Sequence, residues 1–178
     1  AFDWNEHHLT IIDTPGDRNF QGDGLVALQT VDAAVLVLSA VDGIKAGSQK
    51  MLSAAREANA SGLALVNGVD RARANFRPAI ESLSALGIKP AIVALPMGEH
   101  EKLAGVIDLL HMKAVTASGE GEIPADYADE AASLREELVE TVAESNDELL
   151  EKYLEEGELA DEEIEQGLVQ GAKAGDLL

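Results

Sequence analysis

Leu9-Thr10-Ile11-Ile12-Asp13-Thr14-Pro15-Gly16 is the stretch on which the reading of this chain turns. An apolar, β-branched run stops abruptly in Asp-Thr-Pro-Gly. The run reads as a buried strand and the tetrapeptide as its turn. A strand end that delivers a carboxylate and then a glycine suits a magnesium–phosphate site. Asp13 can hold the metal through its water shell. Gly16 has no Cβ, so its backbone N–H can approach a terminal phosphate. Pro15 fixes one backbone angle just before it. An ordinary strand and turn has the same local signature, so the rest of the chain must decide.

Working outward, the pattern alternates. Phe2–Trp4 and His8–Ile12 read as strands, and Asp17–Gly24 as a polar loop. Gly24–Thr30 reads as a helix. Ala33–Ala40 is a continuous apolar run, expected for a strand buried on both faces. Ser48–Asn59 follows as a helix with Met51, Leu52 and Ala55 inward. Gly62–Val66 reads as a second buried strand, Ala74–Leu86 as a helix and Pro90–Leu95 as another strand. Strands alternating with helices over short loops predict a parallel sheet wrapped by helices. Ligands bind beyond the carboxyl ends of such strands. Asp13 and Asp70 both fall at strand carboxyl ends and could share one site.

From Pro96 the pattern changes. Val106–Leu110 and Met112–Thr116 read as a small β element, and Ser118–Gly121 as a turn. A long helix is expected over Tyr127–Ser145, with Ala131, Leu134, Leu138 and Val142 on its inner face. Ser145-Asn146-Asp147 is a break and N-cap. Helices over Asp147–Leu154 and Asp161–Ala172 complete the pattern, with Leu149, Leu150, Tyr153, Ile164 and Leu168 as apolar contacts. The expected division is 1–95 and 96–178.

The chain has 178 residues, no cysteine and a net charge of −20. Disulfides and cysteine metal sites are therefore excluded. No apolar run is long enough to span a bilayer. A cytoplasmic location is the default expectation. The chain starts at Ala1, inside what reads as a strand pair, and is expected to be a piece of a longer protein. Charge is uneven. Residues 1–119 carry 13 acidic and 10 basic side chains, net −3, whereas 120–165 carry 19 and 2, net −17. That acidic stretch repels nucleic-acid phosphates. It can be a solvated helical surface, or it can attract a basic protein partner. The Glu pairs 136–137, 155–156 and 162–163 read as exposed helix residues rather than acid/base dyads. His100 and His111 lack metal-ligand spacing and are expected at the surface, as are His7 and His8.

Asn67-Gly68-Val69-Asp70 begins 54 positions after Asp13. Guanine offers two adjacent N–H donors on its Watson–Crick edge, and the two oxygens of Asp70 match them. Adenine offers no such pair. Asn67 can bond the base edge or brace a neighbouring loop. Asp-x-x-Gly after one strand and Asn-x-x-Asp after a later one, in this order and at this separation, carry far more than either alone.

On these residues the chain resembles translation elongation factor G, in its G domain and the inserted subdomain that interrupts it. Further matching stretches are Ala33–Val41 with Asp42-Gly43, Leu95-Pro96-Met97-Gly98, Gly105-Val106-Ile107-Asp108-Leu109, Ile123-Pro124-Ala125 and Ser145–Tyr153. The resemblance implies a P-loop-NTPase-like α/β fold with a mostly parallel sheet and flanking helices. The half bearing the phosphate loop is lacking, and a small α+β inserted subdomain is added. It implies GTP or GDP and magnesium as cofactors of the intact family. Asp13 would be the magnesium-side carboxylate acting through water, Gly16 the γ-phosphate donor, and Asn67 and Asp70 the guanine readers. Asp17 to about Gly24 would be the switch that rearranges on hydrolysis. It also implies a role in ribosomal translocation or recycling, with the ribosome and its stalk proteins as partners. No membrane partner is implied.

The departures shape the expectation. The family places a water-orienting His where this chain has Asp17, so no catalytic residue is assigned here. It places Lys, which packs along the nucleotide and braces the phosphate loop, where this chain has Gly68. Gly-x-x-x-x-Gly-Lys-Ser/Thr does not occur in the 178 residues, nor do the first switch and the last base-contacting loop. Most phosphate-binding energy goes with them. This chain alone is expected to bind no nucleotide tightly and to hydrolyse none. The alternative is an acidic interaction module that docks on ribosomal proteins.

Overall fold

A computed structural model describes residues 1–84, 87 and 89–175. It opens with a hairpin of β1 (Phe2–Trp4) and β2 (His7–Leu9). Asn5 and Glu6 form its two-residue turn, both with positive φ (46° and 64°), as primed hairpin turns require. Residues 10–16 then have no regular structure. A short 3-10 turn, Arg18–Phe20, leads into α1 (Gln21–Leu28).

The parallel pair is β3 (Ala33–Ser39) and β4 (Ser61–Asn67), joined by α2 (Ala46–Glu57) and followed by α3 (Phe76–Ser84). The expected end of α3 at Leu86 lies outside the described residues. Leu38, Leu52 and Leu83 form one small core over a single face of this sheet. Leu28, Ala55 and Ala60 form another between α1 and α2.

The remainder packs round a larger core. Strands β5 (Ala94–Met97), β6 (Gly105–Asp108), β7 (Lys113–Thr116) and β8 (Gly119–Gly121) form an antiparallel meander. Helices α4 (Ala125–Ala143), α5 (Asp147–Glu156) and α6 (Asp161–Ala174) accompany it. Ala131, Leu134, Leu138 and Val142 of α4 are all buried, as their spacing predicts, with Ile107, Leu109 and Ile164 in the same cluster. Asn146 caps α5, its Oδ1 accepting from Glu148 N at 2.9 Å and Leu149 N at 3.3 Å. Gly157, at φ +80°, ends it in the left-handed conformation.

Four expectations need correction. Ile11 and Ile12 are not in a buried strand; they are 73 % and 48 % exposed, and no strand among the described residues pairs with them. Ala33–Ala40 is not buried on both faces. Val35, Val37, Leu63 and Leu65 form an open face, because the buried contacts of β3 and β4 lie on the other one. The strand expected at Pro90–Leu95 forms at Ala94–Met97 and joins the antiparallel sheet, where Leu95 faces Ile107 across the ladder. It straddles the expected division at 95. Ser118–Gly121, expected as a turn, supplies β8, whose backbone pairs with Ala114–Thr116.

His111 links the β6–β7 turn to α6. Its Nδ1 lies 2.8 Å from Asp108 Oδ2, and its Nε2 lies 3.6 Å from Glu165. Partial burial pushes Asp108 upward, but the hydrogen bonds from the His111 ring and from the backbone amides of His111 and Leu110 outweigh it, leaving the carboxyl below its usual value. The hydrogen bond to Asp108, with its charge, raises His111 above its ordinary value, against desolvation that lowers it. A raised imidazole contributes stability that is fully present below its ordinary value and lost as pH rises through the raised one. A lowered carboxyl contributes above its ordinary value and loses that contribution as pH falls through the lowered one. The pair therefore helps most between the two. Urea midpoints measured upward from pH 6.5 should fall more steeply for the native protein than for His111→Gln; parallel profiles would show the contact to be idle.

Candidate functional site

Asn67 ends β4, directly beside Ser39 at the end of β3 in the parallel register. Both strands therefore deliver their last residues to one carboxyl edge. Asn67 O accepts from Ala40 N at 2.9 Å, which fixes the two strand ends together. Ser39 Oγ accepts from Val41 N and Asp42 N, each at 3.2 Å. That closes the turn after β3, where Gly43 takes φ +64°. Asp42 pairs with Lys45 at 3.0 Å, and this hydrogen bond holds its carboxyl below the usual value.

The Asn67–Ala74 loop consists of two successive turns. Arg71 N donates to Gly68 O at 3.1 Å, and Ala74 N donates to Arg71 O at 3.0 Å. Asn67 Oδ1 accepts from Gly68 N at 2.8 Å, so one acceptor of this side chain already braces its own loop. Asp70 is exposed, and its carboxylate is free of hydrogen bonds and ion pairs among the described residues. Gly68 has φ +74°, and the stem of Arg71 lies 3.2 Å from where its Cβ would be. A lysine here would have to adopt a left-handed backbone and displace Arg71, which accounts physically for glycine at this position.

Asp13 and Gly16 lie in the irregular segment before α1. Both are exposed, and a Cβ on Gly16 would meet nothing within 4 Å. Asp17 caps the 3-10 turn, its Oδ1 accepting from Asn19 N at 2.8 Å. The carboxylate is thus turned to its own backbone. Thr14 reaches toward α1: its Oγ1 lies 3.8 Å from the Cβ that Gly24 lacks. The structure brings Asn67 and Asp70 into one loop and Asp13, Gly16 and Asp17 into another. No hydrogen bond or ion pair among the described residues joins the two groups.

The described residues contain no group of three or more His, Cys, Asp or Glu placed to hold a metal by themselves. Sequence reasoning missed two contacts made across the fold, one at the Asn67–Ala74 loop and one at the turn after β5. His100, expected merely at the surface, places Nδ1 2.8 Å from Arg71 O. Tyr127 Oη accepts from Gly98 N at 2.8 Å. Neither has a local sequence signal, because each contact joins residues 29 positions apart.

None of the helices among the described residues is long and apolar enough to cross a membrane. The sequence matches the family model described as the elongation factor Tu GTP binding domain over residues 1–174. It is also similar to a crystal structure of a protein from Thermus thermophilus, with 30 % sequence identity and a TM-score of 0.85. The match covers 98 % of this chain but 27 % of that one. Parallel strands delivering an Asn-x-x-Asp loop to their carboxyl edge, an open Asp-x-x-Gly segment and these two matches converge: the chain belongs to the elongation factor Tu GTP-binding domain family, as an elongation factor G-like member.

Proposed function

We propose that this chain carries the guanine-reading part of an elongation factor G-like translational GTPase, with residues 1–95 as a partial G domain and 96–178 as its inserted subdomain. Asp70 accepts from the two N–H groups of guanine and Asn67 braces the loop. Asp13 holds magnesium through water, and Gly16 donates to the terminal phosphate. Asp17, in the place of a water-orienting His, adds negative charge near an anionic centre and leaves hydrolysis without its usual helper. GTP, GDP and magnesium are the family's cofactors. Their binding here is weak, because no Gly-x-x-x-x-Gly-Lys-Ser/Thr loop is present to cradle the phosphates. The whole protein acts in translocation or recycling on the ribosome, in the cytoplasm. The observation that carries the reading is the free, exposed carboxylate of Asp70 beside a loop-bracing Asn67.

The test is amide NMR of the chain with magnesium, titrated with GDP and with ADP. The Asp70 and Val69 signals should respond to GDP at concentrations on the order of millimolar and far less to ADP. Hydrogen bonds to a charged group contribute about 1.5–3 kcal/mol each, so Asp70→Ala should weaken the GDP response by at least about ten-fold. Equal responses to the two nucleotides would sink the guanine reading.

A second reading has its own observation. Glu136, Glu137 and Glu140 of α4, Glu151 and Glu155 of α5, and Glu162 and Glu165 of α6 are all exposed. Leu154, between Glu151 and Glu155 in the sequence of α5, is 76 % exposed. These exposed carboxylates favour an acidic interaction module, without GTPase activity, that docks on a basic ribosomal protein, and the binding would weaken with salt.

A further inference from the structure

The 29-residue separation between His100 and Arg71 hides a direct link between the antiparallel unit and the base loop. His100 sits in the short turn His100–Lys102, between β5 and β6. Its backbone has φ +52°, a left-handed conformation that few residues adopt, though histidine does so more readily than most. That conformation is held from both sides. Gly98 is anchored through its N–H to Tyr127 Oη, on the first turn of α4. Leu103 N donates to His100 O at 3.1 Å, and Ala104 N returns to Met97 O at 2.8 Å.

From this fixed turn the half-buried ring reaches across to Arg71 O. A carbonyl only accepts, so the ring must present Nδ1–H. The same carbonyl receives Ala74 N at 3.0 Å. Both of its acceptor positions are therefore filled, one from inside the loop and one from the other unit. Arg71 directly follows Asp70, so fixing its carbonyl restricts where the Asp70 carboxylate can lie.

We propose that His100 is a positioning residue for the Asn67–Asp70 loop. It ties the base-reading edge of the parallel unit to the β5–β6 turn of the antiparallel one. The proposal rests on the reading of Asn67 and Asp70 as base contacts. It adds that a change at the 98–102 turn alters base recognition, and that base binding alters the turn reciprocally.

The test uses the full chain and two substitutions. Glycine accepts φ +52° without strain, so His100→Gly removes the donor while sparing the backbone. Asparagine tolerates the same conformation and keeps a side-chain N–H, so His100→Asn is the rescue. Water-exchange NMR should show the Arg71 and Ala74 amides exchanging about five-fold faster in His100→Gly, the factor expected of one net hydrogen bond. Amides of β3 and β7 should not change, and His100→Asn should restore most of the protection. Unchanged exchange in His100→Gly overturns the proposal. So does equal acceleration in both variants, since the donor would then not matter. The GDP and ADP titrations separate the two claims. A native protein without guanine preference loses the base reading, whereas the exchange rates independently decide whether His100 holds the loop.

Discussion

Ile107→Ala is expected to remove about 2–5 kcal/mol of stability, the cost of deleting most of a fully buried aliphatic side chain and leaving a cavity. Ile107 is 0 % exposed and lies on the second strand of the meander, flanked in the ladder by Leu95 and Ala114. Leu138 and Val142 of α4 belong to the same cluster. Sheet and helix both close on this side chain, so the site cannot collapse from one side alone. Urea unfolding followed by circular dichroism reads the loss. Leu154→Ala is the control, since that side chain is 76 % exposed and should cost no more than about 0.5 kcal/mol. If both substitutions cost the same, the large core is not what holds the antiparallel unit together. The small cores of the parallel unit are separate from this one. The transition should therefore be checked for two steps before a single free energy is assigned.

Gly98→Ala is the second large effect, and it arises from the backbone. The added Cβ would lie 2.2 Å from Lys102 O and 2.9 Å from Lys102 C, at φ +94°. The left-handed conformation alone costs about 1–2 kcal/mol with a side chain. Overlap with a fixed carbonyl adds a further amount of about 1–3 kcal/mol, as the turn is forced apart. Gly119→Ala isolates the first contribution, because Gly119 has φ +116° and open space around its Cβ position. Gly98→Ala should therefore shift the urea midpoint clearly further than Gly119→Ala. Equal shifts would mean that the 98–102 turn moves aside at little cost. The same substitution disturbs the N–H that Gly98 donates to Tyr127.

The sequence was most legible where a period could be counted. The buried stripe of α4 repeats at helical spacing, and each of its four named residues is buried. The cap at Asn146 was equally plain, because asparagine followed by two acidic residues is favourable at a helix start. The two apolar runs that became β3 and β4 announced strands but not how many faces would be covered. An apolar run reports burial in a complete sheet, and Val35, Val37, Leu63 and Leu65 carry that composition on an open face. The 90–95 run showed the converse: its residues favour a strand, yet nothing local chooses between a parallel and an antiparallel neighbour. Gly119-Glu120-Gly121 read as a turn because glycine weakens strands, while its partner β7 supplied the ladder. The Asn67–Asp70 loop was legible as a motif at a strand end. The contact it receives from His100 was not, since that ring meets a main-chain atom that carries no residue signature.

The open face of β3 and β4 has a colloidal consequence. Four large apolar side chains stand beside each other on a two-stranded ladder, and every molecule carries the same patch. Mutual repulsion between bodies of charge −20 opposes contact between these patches. That repulsion is long-ranged and screened by salt, whereas attraction between apolar faces is short-ranged and is not. Concentrated stocks of this chain should therefore stay dispersed in low salt at neutral pH and cloud as salt is added or carboxylates are neutralised.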